Sequence, residues 1–253
     1  MDTRFWGPSG WQFYHLVAQT YPEKPDAITQ RKYELFFVAM KDVLPCRFCR
    51  ESTTKFMEEL PLHPAMKSRE TLTKWLYDLH NKVNDKLRNQ CREDPRVICP
   101  PPDPSLAAVR DVYEGLLSAD PKVPPGLDFL WCVVYNYGNT PTSDTVQAYF
   151  QTFMNLVDLY PYSHLRKIVG AHVRENIVFE ALRTRKGLLK WWYVLSSKLC
   201  KATGFEQGTF KGTLAKYGRI KSGCKRGKTC RNGKKVRDHR KTYKITHTRL
   251  IHL

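Results

Sequence analysis

The sequence is short of acidic residues: 24 Asp and Glu stand against 42 Lys and Arg, for a net charge of +18 over 253 residues. Long apolar runs are also missing. The longest, Leu35 to Met40 and Phe129 to Tyr135, fall far short of the roughly 20 residues needed to cross a bilayer. The first residues, Met-Asp-Thr-Arg-Phe-Trp-Gly-Pro, hold no apolar segment followed by a small-residue cleavage site. The expectation is a soluble protein that is not secreted and has no membrane span. No stretch alternates in the manner of a strand, which removes the strand-helix-strand setting that a thioredoxin-like redox motif requires.

The charge imbalance is local. Residues 204–253 hold 15 Lys or Arg against Glu206 and Asp238, a net +13, which leaves +5 for the first 203 residues. This segment is Gly-rich and lacks apolar periodicity, so a flexible basic tail is expected there. Its cations suit salt-dependent, sequence-independent contact with nucleic acid or an acidic partner; a solubilising role is the plain alternative. Aromatics are sparse, with Phe205, Phe210, Tyr217 and Tyr243, which argues against a base-stacking platform.

What is present is helical. A hydrophobic content of 42% supports a sizeable core. Trp11, Tyr14, Ala18 and Tyr21 share one helical face, closed by Pro22 and Pro25; Tyr33, Phe36, Phe37, Met40 and Leu44 form a second stripe ending at Pro45. Phe56, Met57 and Leu60 make a third before Pro61 and Pro64, and Leu72, Trp75, Leu76, Leu79, Val83 and Leu87 a fourth. Four amphipathic helices with short connections predict an all-α antiparallel bundle over residues 1–100. Pro100, Pro101 and Pro102 break the pattern, and Asp103-Pro104 reads as an N-cap with a first-turn proline. A second, smaller helical domain is expected over residues 104–203, with helices at 104–118, 127–137, 144–159, 163–183 and 187–202, followed by the tail from 204.

Eight cysteines without a secretion signal point to redox activity or metal binding before a structural framework. Cys132 and Cys200 stand alone in apolar stretches and are expected to be buried and inert. Cys46/Cys49, Cys91/Cys99 and Cys224/Cys230 are local pairs. Cβ atoms at i and i+3 of a helix lie about 5–6 Å apart and a disulfide needs roughly 3.8 Å, so Cys46-Arg-Phe-Cys49 can open and close with slight tightening of a first turn. Pro45 favours a helix start here, whose unpaired N–H groups stabilise a thiolate, and Arg47 and Arg50 add positive charge. A static disulfide or half of a metal site are the competing readings. Zinc is disfavoured by the 41 residues between Cys49 and Cys91 and by the seven between Cys91 and Cys99; Cys224, Cys230, His239 and His247 are also irregularly spaced. On helices, Trp11 with His15 and His80 with Asn84 are i,i+4 neighbours that make a lined slot. Ordinary packing is the bland alternative for either pair alone. Asn81 and Asn84 beside His80 weaken it, because buried amides and imidazoles need partners that a flat heteroaromatic ring supplies.

Gly7-x3-Trp11-x3-His15, Tyr21-Pro22, Leu44-Pro45-Cys46-x2-Cys49 and Trp75-x4-His80-Asn81-x-Val83-Asn84 together resemble the Erv/ALR family of FAD-dependent sulfhydryl oxidases, in order and spacing, from residue 5 to about 90. An oxidase core followed by an extra helical domain is similar to enzymes of large cytoplasmic DNA viruses. The resemblance implies a bundle holding FAD, usually in a homodimer, that forms disulfides in protein thiols and passes electrons through Cys46-Cys49 to FAD and on to dioxygen, giving hydrogen peroxide. It implies host cytoplasm or the virion as location. Gly7, Trp11, His15, Trp75, His80, Asn81 and Asn84 would line the cofactor site, with Tyr14 and Val83 as neighbours. Cys49 would be the flavin-proximal sulfur and Cys46 the outer one that substrate attacks. Arg88 is the nearest match to the basic residue, commonly Lys, that relatives often carry shortly after the second Asn for the cofactor's phosphates. The short Cys91/Cys99 pair replaces a longer-spaced structural disulfide and would clamp the fourth helix or form a second redox pair. Cys224/Cys230 would be a shuttle dithiol, with two unpaired exposed thiols as the equal alternative. The alternative reading is a non-enzymatic basic helical binding protein with structural cysteines.

Overall fold

The computed structural model describes residues 1–94 and 97–220. All regular structure among them is helical: α1 (Thr3–Gln19), α2 (Ala27–Val38), α3 (Met40–Val43), α4 (Arg47–Glu59), a 3-10 turn (His63–Lys67), α5 (Arg69–Cys91), α6 (Leu106–Leu117), α7 (Leu127–Asn136), α8 (Ser143–Leu159), α9 (Ser163–Glu175), α10 (Val178–Leu182), α11 (Arg185–Ala202) and α12 (Phe210–Gly218). Prolines and side-chain caps set the ends. Asp26 accepts from Thr29 N at 2.7 Å to start α2, and Ser68 with Thr71 closes a capping box at α5. No helix among the described residues is long and apolar enough to cross a membrane.

The four N-terminal stripes become α1, α2 with α3, α4 and α5. The expected single helix over 163–183 is two, because Asn176 and Ile177 adopt extended backbone between α9 and α10. One continuous core contains buried residues from Met1 to Tyr217. α7 lies along α1, and α8 along α2 and α3. Close approach of α1 and α7 depends on two glycines. A Cβ on Gly10 would meet the Phe129 ring at 3.1 Å, and Gly126, at φ 72°, sits where a Cβ would be 2.7 Å from Phe13.

The basic segment is packed where it begins. Tyr217 of α12 is buried, stacks on Trp131 at 5.2 Å and donates to Asp128 at 2.7 Å, which also accepts from Lys216 at 2.8 Å. The solvated tail expected from residue 204 therefore does not start before residue 219; three aromatic and charged side chains carry enough contact to dock a nine-residue helix. Cys224 and Cys230 lie outside the described residues, as does most of the basic charge.

Candidate active site

Two constellations flank α5. The first is the cysteine pair. Cys46 is the N-cap of α4, with extended backbone, and its Sγ accepts from Cys49 N at 3.2 Å. The Cys49 thiol donates to the same sulfur. That bond, with the Cys49 backbone N–H, the Met1 ammonium and Lys86, outweighs burial and brings Cys46 down to about 7. Cys49 is pushed up, first because its proton is held by the Cys46 sulfur, then by burial. In the reduced pair the thiolate therefore belongs to Cys46, the sulfur at the helix cap.

The nearby cations differ from those expected. Arg47 lies over the Phe48 ring and near Glu51, and Arg50 donates to Leu44 O at 2.7 Å. The Met1 ammonium and then Lys86 supply the charge instead, Lys86 crossing from α5 to Ser52 of α4. Sequence reading passed over it; its place two residues beyond Asn84 is the one signal that pointed to it. Cys46 is 2% exposed and Cys49 half-buried, and beside them the Met1 amino group donates to Pro45 O at 2.6 Å. This is the reverse of the exposure implied for an outer, attacked sulfur. No third His, Cys, Asp or Glu joins the two in a metal-holding group among the described residues.

The second constellation is a cleft of about 40 Å3 whose walls include His15, His80, Asn81 and Asn84. Trp11 stacks on His80 at 4.0 Å and 13°, and His15 lies flat on Tyr113 at 4.8 Å. His15 Nε2 and His80 Nδ1 are 3.1 Å apart, one donating and the other accepting. Burial, and for His15 also the neighbouring imidazole, holds both rings neutral; His80 falls to about 4. Flat rings, two amides and a guanidinium one turn beyond Asn84 suit a heteroaromatic ring carrying an anion.

The remaining predicted residues divide. Arg88 bonds Asp103 and Pro101 O, and Asn84 donates to Asp103 at 2.8 Å. Trp75 donates to Leu60 O at 2.9 Å and meets Phe37 edge-on, and Tyr14 packs among Phe36, Phe37 and Phe129, so both serve the core here. Neither they nor Val83 line the cleft. Gly7 faces open space. Cys91 and Cys99 form a disulfide at the end of α5. Cys132 and Cys200 are buried and burial raises both thiols, Cys200 to about 12. Tyr77, Pro104, Val109, Val112 and Tyr113 complete the cleft without a motif to announce them.

The Erv1 / Alr family profile matches residues 8–97. The 347L protein of Invertebrate iridescent virus 6 is 30% identical over 92 residues, 34% of this chain and 83% of that protein. The R368 protein of Acanthamoeba polyphaga mimivirus is 40% identical over 85 residues, 33% of this chain and 59% of its own length. The mitochondrial FAD-linked sulfhydryl oxidase of Saccharomyces cerevisiae is 34% identical over 87 residues, 34% of this chain and 45% of its own. Both viral names also contain FAD-linked sulfhydryl oxidase. The chain thus spans about half the length of the last two relatives, and residues beyond 97 have no counterpart in the matched profile. With the cysteine pair at the cap of α4 and the Trp/His/Asn cleft on α1 and α5, both inside the matched region, the chain belongs to the Erv1 / Alr family.

Proposed function

We propose that this protein is an FAD-dependent thiol oxidase that forms disulfides in protein substrates. The observation that carries the reading is the Cys46-Cys49 pair at the cap of α4, with Cys46 as a stabilised thiolate, in the same matched region as the His15/His80/Asn81/Asn84 cleft, whose His80 stacks on Trp11. The cleft's donor set fits FAD: His15, His80, Asn81 and Asn84 would hold a ring, and Arg88 a phosphate.

A substrate thiolate attacks Cys46 of the oxidised pair, and Cys49 leaves with the bonding electrons. A second substrate thiolate attacks the mixed disulfide at the substrate sulfur; the product disulfide forms and Cys46 departs as a thiolate. Its low pKa makes it the better leaving group at this step. Two electrons now reside on the pair, with Cys49 taking a proton and donating it in a hydrogen bond to Cys46. The Cys46–Cys49 bond re-forms as the pair gives up two electrons and the Cys49 proton, and FAD, when bound, would supply the two-electron acceptor that hands them to dioxygen, giving hydrogen peroxide. Attack at Cys46, 2% exposed, requires its surroundings to open.

Homodimer formation, host-cytoplasm or virion location and contact of the basic tail with nucleic acid belong to the same reading. The test is thiol-dependent oxygen uptake. Wild type should purify yellow and consume oxygen with dithiothreitol, and Cys49→Ser should stay yellow and fall to background. A colourless, inactive wild type would leave the non-enzymatic binding protein as the better account.

A further inference from the structure

We infer that residues 101–117 form a gate over the cofactor cleft, with Asp103 as a latch that competes with the cofactor's phosphates for Arg88 and Asn84. The inference rests on the proposed FAD site and concerns a segment beyond the matched family profile.

The walls of the cleft differ in how firmly they are held. α1 and α5 are core helices, with Phe13, Val17, Leu72 and Leu76 fully enclosed. α6 has no buried residue at all, although its Val109, Val112 and Tyr113 face the cleft. It is retained mainly by polar contacts, Gln19 to Glu114 at 2.8 Å, Arg110 to Glu70 O at 3.0 Å, Tyr162 to Leu116 O at 2.7 Å and Tyr77 to Pro104 O at 2.7 Å just before the helix, with the Tyr113 stack on His15 and partly buried Leu117 as its apolar contacts. A cleft of about 40 Å3 is well below the roughly 300–1,000 Å3 of a ligand pocket, so entry of a ring requires one wall to move. The wall with no fully buried residue moves at least cost. The Cys91–Cys99 disulfide ties the start of this segment to α5, so displacement is confined to residues beyond Cys99.

Asp103 makes entry competitive. Its carboxylate bonds both Asn84 Nδ2 and the Arg88 guanidinium, and that guanidinium lowers its pKa. A phosphate reaching Arg88 meets an anion already seated in the fork that would bind it.

The full-length chain, stripped of flavin, is mixed with FAD and the quench of flavin fluorescence followed in time. Asp103→Asn should bind FAD at least threefold faster than wild type, since both opening and access to Arg88 become easier. Asp111→Asn, the same charge change on the exposed side of α6, should match wild type. Equal rates for Asp103→Asn and Asp111→Asn overturn the latch, whereas no FAD binding by wild type overturns the cofactor reading itself. Independently of any variant, α6 amides in the flavin-free protein should exchange hydrogen at least tenfold faster than those of α7. Equal protection overturns the gate.

Discussion

The backbone N–H of Cys49 donates to the sulfur of Cys46 at 3.2 Å, so the residue three positions along the chain holds the negative charge of its partner. A helix cap is normally an oxygen accepting such a bond; here a thiolate does so, at the positive end of α4. The pair is asymmetric for that reason, with one sulfur charged near neutrality and the other protonated.

Ultraviolet thiolate absorbance of the reduced protein should show one thiol titrating near pH 7. In Cys49→Ala the strongest stabiliser of the Cys46 thiolate is gone, and its midpoint should move up by about one unit or more, a loss of roughly 1.4 kcal/mol per unit. An unchanged midpoint would contradict the assignment of the charge.

Burial of His15 and His80 makes stability depend on pH. In the unfolded chain both take up protons near pH 6.5, while in the folded protein His80 does so only near 4. As pH falls through that window the unfolded state binds protons that the folded state refuses, so stability declines from about pH 6.5, and the His80 part of the decline levels off near 4. The contribution of His80 is roughly 3 kcal/mol at most. Thermal melts between pH 4 and 7 should show this slope in wild type and a shallower one in His80→Asn.

Gly126 turns the chain into α7 at φ 72°, against the Phe13 ring. Gly126→Ala adds about 1–2 kcal/mol of backbone cost and a clash at 2.7 Å. A total loss of roughly 2–4 kcal/mol, seen in a urea melt, is expected. A melt that matches wild type would mean that α1 and α7 are not held this close.

Cys224 and Cys230 come after α12, whose Tyr217 docks on Phe5 near the start of α1. If they relay electrons from bulky substrates, Cys224→Ser should slow oxidation of a protein thiol severalfold and leave dithiothreitol oxidation unchanged. Equal effects on both substrates would exclude the relay.

Secondary structure was legible in the sequence because its causes are local. Apolar stripes at helical spacing and prolines at 22, 45, 61 and 100–102 mark the N-terminal helices, and i,i+4 spacing places Trp11 with His15 and His80 with Asn84 on single faces. The exceptions were also local in origin: the break at Asn176 and Ile177 lacks a proline, and α12 carries too few apolar residues to show a stripe.

Spacing along one chain is enough to specify an all-helical protein, a cysteine couple at a helix start and membership of the Erv1 / Alr family. Contacts that cross between helices came from the packed molecule alone: His15 against His80, Lys86 beside the cysteine pair, Trp75 on Leu60, and Asp103 on Asn84 and Arg88. These contacts join residues 15 to 65 positions apart, where no periodicity reaches, and they depend on the angles at which finished helices pack.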